Sequence, residues 1–300
     1  MSATSGWMEW ANDLVYNKSG ERKFVYITES MNKGTELNNP RTRDWFLLKQ
    51  PGDVLLIIAL YIYFCVWSGP KYMKDKPPYE LRKTLIAYNF MQVLLSMYLV
   101  YEGLMAGWLN EYSYTCQPID FSESPSAMRM ASAGYMYFIS KVLELLDTVF
   151  FVIRKKQRQV SFLHLYHHVS MLMLTWFGVR YWMGGHGTLF GVVNSFVHMF
   201  MYAYYMLTAF GESTRRFLWW KKYITILQIA QFILVGLHSA QVLFRECDYP
   251  KRLAALIMLQ NVVFFYLFTS FYIETYVKGN ARTAGTNDIQ NGGSIRPKDN

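Results

Sequence analysis

Residues 162–181 read FLHLYHHVSMLMLTWFGVRY, an apolar run long enough to cross a bilayer as one helix, which takes ~20 residues. His164, His167 and His168 lie in its first half at positions i, i+3 and i+4. A helix therefore places all three imidazoles on one face. Ionisable side chains at membrane depth usually face a protein interior or a wet cavity and mark a functional path. The run thus predicts a membrane helix that carries a candidate reaction site.

The rest of the chain repeats this alternation of apolar runs and polar connections. The chain has 300 residues, of which 52% are hydrophobic and 18% aromatic. Further candidate membrane helices are Val54–Ser68, Leu85–Leu104, Ala131–Ile153, Leu189–Phe210, Tyr223–Phe244 and Leu253–Val277. The first of these is short unless it begins near Pro51. The predicted fold is an all-α polytopic membrane protein with seven transmembrane helices, flanked by polar segments 1–44 and 279–300 around a membrane domain at 45–278.

The positions of Lys and Arg predict the orientation, because cytosolic loops carry an excess of basic residues. The connections 69–84, 154–161 and 211–222 are rich in Lys and Arg, whereas 105–130 has only Arg129 and 182–188 has none. We therefore expect the basic loops and the C-terminus in the cytosol and the N-terminus in a lumen. The net charge of +9 follows from this topology. Since no soluble basic domain is predicted, membrane lipid is an expected partner and nucleic acid is not.

Three features outside the helices agree with that orientation. Asn17 begins the chain's glycosylation sequon, in the segment assigned to the lumen. Cys116 and Cys247 both fall in connections assigned to the lumen, where disulfides persist. They predict a Cys116–Cys247 bond, with two free thiols as the alternative. The last residues, RPKDN at 296–300, are similar to a dilysine-type retrieval signal of the endoplasmic reticulum, and the tail from 279 has a composition that predicts disorder.

The third predicted helix carries three charged residues on one stripe. Lys141, Glu144 and Asp147 are spaced i, i+3 and i+6. They are consistent with a salt-bridge ladder that fixes helix packing. Alternatively, Asp147 accepts a hydrogen bond from an imidazole on a neighbouring helix and fixes its tautomer. The two interpretations are compatible.

Two further predicted helices add polar groups at a similar depth. The fifth helix carries Asn194, His198, Tyr202 and Tyr205 on one face, and the sixth carries Thr225, Gln228 and Gln231. Four helices thus place polar groups in the half of the membrane assigned to the cytosol, which predicts one pocket, or tunnel, that opens to the cytosol. His186 and His238 lack such company in the sequence, and we expect both to be structural.

The His-x-x-His-His pattern is compatible with more than one chemistry. The number of histidines and carboxylates is sufficient for a mononuclear metal site. It is too small to support a di-iron oxygenase. Imidazole can instead act as nucleophile, general acid or general base, and acyl transfer from a thioester suits it. A metal-dependent membrane lipid oxidase therefore remains an alternative. A seven-helix transporter or receptor is another, although its polar pocket should reach the lumenal side.

Four motifs in order give the chain a family resemblance. They are Lys141-x-x-Glu144-x-x-Asp147-Thr148, Gln159-Val-Ser-Phe-Leu-His164-Leu-Tyr-His167-His168, His198-x-x-Met201-Tyr202-x-Tyr204-Tyr205 and Thr225-x-x-Gln228-x-x-Gln231-Phe232. From about Trp45 to Lys278 the chain resembles the very-long-chain fatty-acid elongases, which condense acyl-CoA with malonyl-CoA in the endoplasmic reticulum. The sequence around the histidines is similar to that of the animal branch of the family, which acts on polyunsaturated and very-long-chain substrates.

The resemblance implies a 3-ketoacyl-CoA synthase of the endoplasmic reticulum membrane, with seven helices around a substrate tunnel. It would join a long-chain acyl-CoA to malonyl-CoA, with loss of CO2 and CoA, to give 3-oxoacyl-CoA. No cofactor or metal is expected beyond the co-substrate malonyl-CoA. Expected partners are the reductases and the dehydratase of the elongation cycle, and a homo-oligomer is compatible with the sequence.

Joined to the residue pattern, the resemblance assigns roles within the pocket. His167 is the expected nucleophile, through an acyl-histidine intermediate. The expected catalytic group consists of His167, His198, His164, His168, Asp147, Glu144 and Asn194. The expected substrate-binding group consists of Lys141, Arg154, Lys156, Gln159, Tyr204, Lys221, Thr225, Gln228 and Arg282, with the cations on the phosphates of CoA.

Overall fold

The computed structural model describes residues 39–278, so Asn17, Arg282 and the retrieval-like terminus lie outside the described residues. Within this range the chain forms seven long helices and no strand. They are α1 (Pro51–Met73), α2 (Arg82–Trp108), α3 (Pro125–Ile153), α4 (Phe162–Tyr181), α5 (Thr188–Ala209), α6 (Lys221–Leu243) and α7 (Lys251–Lys278). The predicted all-α class is confirmed.

Four of the helices between residues 39 and 278, namely α1, α2, α6 and α7, are long and apolar enough to cross a membrane. The other three, α3, α4 and α5, contain most of the polar side chains buried near the middle of the bundle. These include Lys141, Glu144, His168, Asn194 and His198, each at most 6% exposed. The chain is thus a polytopic helical protein in which the least apolar helices are the inner ones.

Six of the seven helices begin earlier than the apolar pattern predicts, and two of them, α1 and α3, begin with proline. α1 starts at Pro51 and α3 at Pro125, and proline suits the first helical turn because its missing N–H would be unpaired there in any case. Ser124 caps α3, since its hydroxyl accepts a hydrogen bond of 3.3 Å from the Ala127 N–H. Hydropathy detects only the apolar part of a helix, so the first turns were missed.

The connections between helices lie at two opposite ends of the bundle. At the basic end are the connections 74–81, 154–161 and 210–220, where Lys155 Nζ donates to the Lys74 carbonyl at 3.0 Å and Arg82 donates to the Phe210 carbonyl at 2.7 Å. At the disulfide end are the connections 109–124, 182–187 and 244–250. The predicted Cys116–Cys247 disulfide is present there. The basic connections therefore lie at one end, as the Lys and Arg pattern predicts.

Close helix packing determines which helices surround α3. α2 packs along α5, α7 packs along α6, and α3 packs on α4. Gly103 of α2 faces Val192 of α5, and a Cβ at residue 103 would collide with the Val192 side chain. The main core includes Phe138 of α3 and Leu172 and Trp176 of α4. The result is a bundle whose interior centres on α3, α4 and α5.

His186 and His238, which we expect to be structural, pack against each other. Their rings stack with centroids 3.7 Å apart and planes within 8°. His186 Nε2 lies 2.8 Å from the His238 carbonyl oxygen, and Trp108 packs on the edge of the pair. Burial lowers the pKa of His186, which favours its neutral form. The pair packs at the disulfide end, whereas the histidines of α4 lie in the half of that helix nearest the basic end, so a structural role remains its interpretation.

We predict that the disulfide stabilises this end of the bundle. The bond joins residues 131 positions apart, and closing a long loop restricts the unfolded chain. The double variant Cys116→Ser/Cys247→Ser should unfold roughly 5–10 °C lower in detergent, corresponding to about 2–4 kcal/mol. Tryptophan fluorescence during a thermal scan measures this change.

A reductant provides the control for that measurement. It should lower the Tm of the parent chain and of Cys65→Ala, because Cys65 is the free and buried cysteine of the described residues. It should leave the Tm of the double variant unchanged. Equal Tm values for the parent and the double variant would contradict the prediction.

Candidate functional site

A buried charge network joins α3 to α5. Lys141 Nζ donates to Glu144 Oε1 at 2.7 Å and to Asn194 Oδ1 at 2.9 Å, and Tyr137 donates to the same Asn194 oxygen at 2.8 Å. His198 Nδ1 lies 3.2 Å from Glu144 Oε1. Because a buried charge needs a paired and hydrogen-bonded partner, these contacts explain how two ionised groups are held inside the bundle. The predicted salt bridge is therefore present between Lys141 and Glu144.

The second carboxylate of α3 has a different partner from the one suggested above. Asp147 Oδ2 accepts a hydrogen bond of 2.8 Å from the Tyr202 hydroxyl. The carboxylate that meets an imidazole is Glu144, not Asp147. Three residues along a helix correspond to a rotation of about 300°, which is enough to direct the two carboxylates at different neighbours on α5.

The three histidines of α4 form a ring cluster beside this network. The rings of His164 and His168 are 4.3 Å apart, and those of His167 and His168 are 5.5 Å apart. Lys141 and Glu144 lie close enough to act electrostatically on His167 and His168. The structure therefore brings the predicted histidine box together with the charge network of α3 and α5.

His167 occupies a distinctive position within the cluster. Its ring lies against Phe264 and Phe268 of α7, with centroid separations of 5.1 and 6.2 Å. Within residues 39–278, no hydrogen-bond partner engages either ring nitrogen of His167. By contrast, His164 and His198 each have one ring nitrogen engaged. An imidazole with free nitrogens and an aromatic wall on one side is suited to attack an electrophile.

The site also contains residues that the sequence reasoning did not single out. Tyr61 of α1 contacts Thr148, and Tyr88 of α2 receives a hydrogen bond of 3.0 Å from Gln92. Polar residues at 89, 92 and 96 in an otherwise apolar helix were a usable signal, since all three are buried. Tyr61 had no such signal, because it is one of 23 tyrosines.

The predicted substrate-binding residues divide by exposure. Lys156, Gln159 and Lys221 are exposed, and Arg154 is half-buried, all at the basic end. Thr225 and Tyr204 are buried, and Gln228 is half-buried with its Nε2 3.7 Å from Met201 Sδ. The exposed group is available to an anionic ligand at the basic end, whereas the buried group lines the interior of α5 and α6.

An apolar cavity of about 100 Å³ lies on the other side of the charge network. Tyr137, which donates to Asn194, also lines this cavity, as do Leu99, Phe190 and Ile257. Met183 and Tyr249 close it near the disulfide end. The cavity is thus adjacent to the polar site and leads away from the basic end.

The chemistry available to these groups is that of imidazole and carboxylate. Among the described residues, no group of three or more His, Cys, Asp or Glu side chains is arranged to hold a metal ion. The arrangement offers two imidazoles, His167 and His168, whose rings have no hydrogen-bond partner among the described residues, one imidazole held by a carboxylate, and a buried lysine. Such groups can perform nucleophilic attack and proton transfer.

Comparisons with known proteins find relatives of this chain. The chain is 46% identical to "Very long chain fatty acid elongase 7" of Drosophila melanogaster over 246 residues, which cover 82% of this chain and 75% of that protein. It is 44% identical to "Very long chain fatty acid elongase 4" of Homo sapiens over 246 residues, covering 82% and 78%.

It is also 43% identical to "Very long chain fatty acid elongase 1" of Mus musculus over 243 residues, covering 80% of this chain and 87% of that protein. Residues 46–284 match the family described as ELO, the GNS1/SUR4 family. This match includes all seven helices of the described range together with the histidine cluster and the charge network. The chain therefore belongs to the ELO (GNS1/SUR4) family.

Proposed function

We propose that this chain is the condensing enzyme of fatty-acid elongation, a 3-ketoacyl-CoA synthase acting on long-chain or very-long-chain acyl-CoA. The observation that carries the proposal is the unengaged His167 ring beside the Lys141–Glu144–His198 network. Family membership and the names of the relatives support the same activity. The reaction joins acyl-CoA to malonyl-CoA and releases CO2 and CoA, with no cofactor or metal.

In the proposed first half-reaction, His167 attacks the acyl thioester. A ring nitrogen of neutral His167 forms a bond to the thioester carbonyl carbon, the C–S bond breaks, and CoA leaves as the thiolate. The free ring nitrogens of His167 and the surrounding apolar wall support this role. Acyl-imidazoles remain reactive, so the intermediate stores the acyl group for the second step.

In the proposed second half-reaction, malonyl-CoA loses CO2 and its enolate attacks the acyl carbon. The C–N bond to His167 then breaks, and 3-oxoacyl-CoA is released. Glu144 contacts Nδ1 of His198, which leaves Nε2 as the atom that can exchange a proton with the developing oxyanion. Asn194 and His168 lie beside these groups and help to position the substrate.

The two ends of the bundle receive the two parts of the substrate in this proposal. The phosphates of CoA meet Arg154, Lys156 and Lys221 at the basic end, since all three lie near helix termini there. Arg282, outside the described residues, is proposed to join them. The acyl chain extends towards the apolar cavity that abuts Tyr137. A substrate tunnel through the bundle follows from this arrangement as part of the proposal.

We further propose that all seven helices span the endoplasmic reticulum membrane and that residues 45–278 are one domain. The exposed large hydrophobic side chains on the outer helices support the membrane location; examples are Leu55, Leu94, Leu237 and Tyr266. The basic end then faces the cytosol, and the disulfide end faces the oxidising lumen. The elongation reductases and the dehydratase would use the released product from the cytosolic side.

The nucleophile assignment predicts an acylated enzyme in the absence of malonyl-CoA. Purified protein incubated with acyl-CoA alone should release one CoA per active site and gain the mass of the acyl group on the peptide that contains His167. His167→Ala should abolish both signals and lower elongation by at least ~100-fold. Thiol titration and peptide mass spectrometry measure the two events.

His238→Gln, at the disulfide end, is the matched control for that experiment and should keep the adduct on His167. CoA release that continues undiminished in His167→Ala would contradict the acyl-histidine intermediate. A direct reaction between bound acyl-CoA and malonyl-CoA would then replace it. Condensing activity itself is read separately, from incorporation of labelled malonyl-CoA.

The charge network predicts that a variant lacking both Lys141 and Glu144 is stable but inactive. Lys141→Met or Glu144→Gln alone should reduce the free energy of unfolding by about 3–5 kcal/mol, because each leaves the other charge buried and unpaired. The double variant Lys141→Met/Glu144→Gln should recover most of that stability. Its activity should stay at least ~100-fold below the parent, since His198 has lost its carboxylate. Thermal unfolding and malonyl-CoA incorporation provide the two readouts.

The control pair is Arg129 and Glu102, which bridge α3 and α2 at 2.6 Å with the arginine side chain 38% exposed. Replacing both should change the free energy of unfolding by less than about 1 kcal/mol. Recovery of activity together with stability in the Lys141/Glu144 double variant would mean that the network is purely structural.

The proposed orientation predicts glycosylation at Asn17. Chain produced in cells should lose mass on treatment with endoglycosidase H, and Asn17→Gln should remove this change. A C-terminal tag should be cleaved by protease added to intact microsomes, because it lies in the cytosol. An N-terminal tag that is cleaved under the same conditions would overturn the orientation.

A further inference from the structure

A second polar chain crosses the bundle from α1 to the histidine helix. The Tyr61 hydroxyl lies 2.6 Å from Thr148 Oγ1, and Thr148 Oγ1 lies 2.8 Å from His164 Nε2. Tyr61 is 6% exposed and Thr148 is fully buried. Both distances are typical of hydrogen bonds. Three helices, α1, α3 and α4, therefore meet through a buried tyrosine, a buried threonine and the half-buried His164.

The direction of these two hydrogen bonds determines the tautomer of His164. In one pattern, Tyr61 donates to Thr148, and Thr148 donates to Nε2 of His164, which then carries its proton on Nδ1. In a second pattern, Nε2–H donates to Thr148, and Thr148 donates to the Tyr61 oxygen. In a third pattern, the Tyr61 hydroxyl and Nε2–H of His164 both donate to Thr148 Oγ1, because a hydroxyl oxygen can accept two hydrogen bonds. The buried Thr148 proton then has no acceptor among the described residues.

The second pattern leaves a buried proton without an acceptor. The Tyr61 hydroxyl has Thr148 as its one hydrogen-bond partner within residues 39–278. If Thr148 donates to it, the phenolic O–H has no acceptor there, and an unpaired buried polar group is costly. The first pattern pairs both hydroxyl protons and leaves only the Nδ1–H of His164 without an acceptor among the described residues, on a ring that is half-buried rather than buried. The geometry thus favours His164 protonated on Nδ1.

We propose that Tyr61 is a positioning residue that, through Thr148, holds His164 in the Nδ1–H tautomer, so that His164 acts as a hydrogen-bond donor in the acyl-transfer site. The role of His164 in acyl transfer rests on the proposed condensing function, whereas its tautomer does not. The lone pair of His164 Nε2 is occupied by Thr148, and Nδ1 has no lone pair in this tautomer. His164 therefore acts neither as nucleophile nor as base.

The proposal distinguishes the roles of the three histidines on α4. His164 is fixed as a donor by an external relay, whereas His167 has both ring nitrogens unengaged within the described residues. The His164 ring lies 4.3 Å from that of His168, which lies 5.5 Å from that of His167, so the donor belongs to the same ring cluster as the proposed nucleophile. A fixed donor can stabilise negative charge that develops on an acyl oxygen. With His164 assigned as a donor, His167, which packs on Phe264, remains the proposed nucleophile.

The tautomer itself is the first measurement, and it does not depend on activity. Protein labelled with 15N at histidine, in nanodiscs, should show protonated Nδ1 and unprotonated Nε2 for His164, assigned by difference from His164→Gln. Tyr61→Phe keeps the ring and removes the hydroxyl, and Thr148→Val keeps the shape and removes the relay. Both should shift His164 towards the Nε2–H tautomer. Thr148→Ser retains a hydroxyl and should keep the parent pattern.

The kinetic readout separates positioning from packing. Tyr61→Phe should lower kcat by about tenfold and Thr148→Val by about 100-fold, with KM for acyl-CoA changed by less than about twofold. Thr148→Ser, unlike Thr148→Val, should retain most of the parent kcat. Tyr63→Phe is the matched control, because Tyr63 lies on the same helix but is 54% exposed, and it should behave as the parent.

Two results would overturn the inference. One is His164 protonated on Nε2 in the parent protein, and the other is an unchanged tautomer in both Tyr61→Phe and Thr148→Val, each checked for folding by thermal unfolding. Absence of the acyl adduct on His167 in the parent protein would instead contradict the proposed mechanism. The 15N result would still decide the tautomer of His164. The two failures are therefore distinguishable.

Discussion

Lys141 and Glu144 place a positive and a negative charge in the interior of a helical bundle, with 2% and 3% of their surface exposed. Removing two charges from water costs several kcal/mol each, and only close pairing with additional hydrogen bonds offsets this cost. α3 cannot supply all of these bonds alone. α5 completes them with Asn194 and His198. The register between α3 and α5 therefore follows from the need to compensate this pair.

The division of the helices into inner and outer ones follows from the same constraint. α1, α2, α6 and α7 are apolar enough to face lipid, whereas α3, α4 and α5 hold the polar centre between them. Large side chains such as Leu56 and Leu234 point outward and remain exposed. Lys141, Glu144 and His198 are buried in this centre, and electrostatic interactions between buried groups are stronger than in water. The burial that requires each charge to be paired therefore also strengthens the electrostatic interactions that a reaction there can use.

The asymmetry between the two ends gives the site a direction. The disulfide, the stacked His186 and His238 rings and the buried Tyr249 lie together at one end. The other end carries basic connections and exposed Lys156 and Lys221. The proposed function uses this asymmetry: the phosphates of CoA lie at the basic end and the acyl chain extends towards the other. In that proposal the histidines lie where the head of the substrate meets its tail.

The sequence by itself determined the helices, the candidate residues and the disulfide, because each depends on local information. An apolar run, a polar residue inside it, and two cysteines in alternate connections are all readable without knowing how helices rotate. Tertiary structure alone decided which carboxylate meets His198, that His186 stacks on His238, and that Tyr61 reaches His164 through Thr148. These contacts depend on the rotation and depth of helices far apart in the chain, which no local pattern specifies.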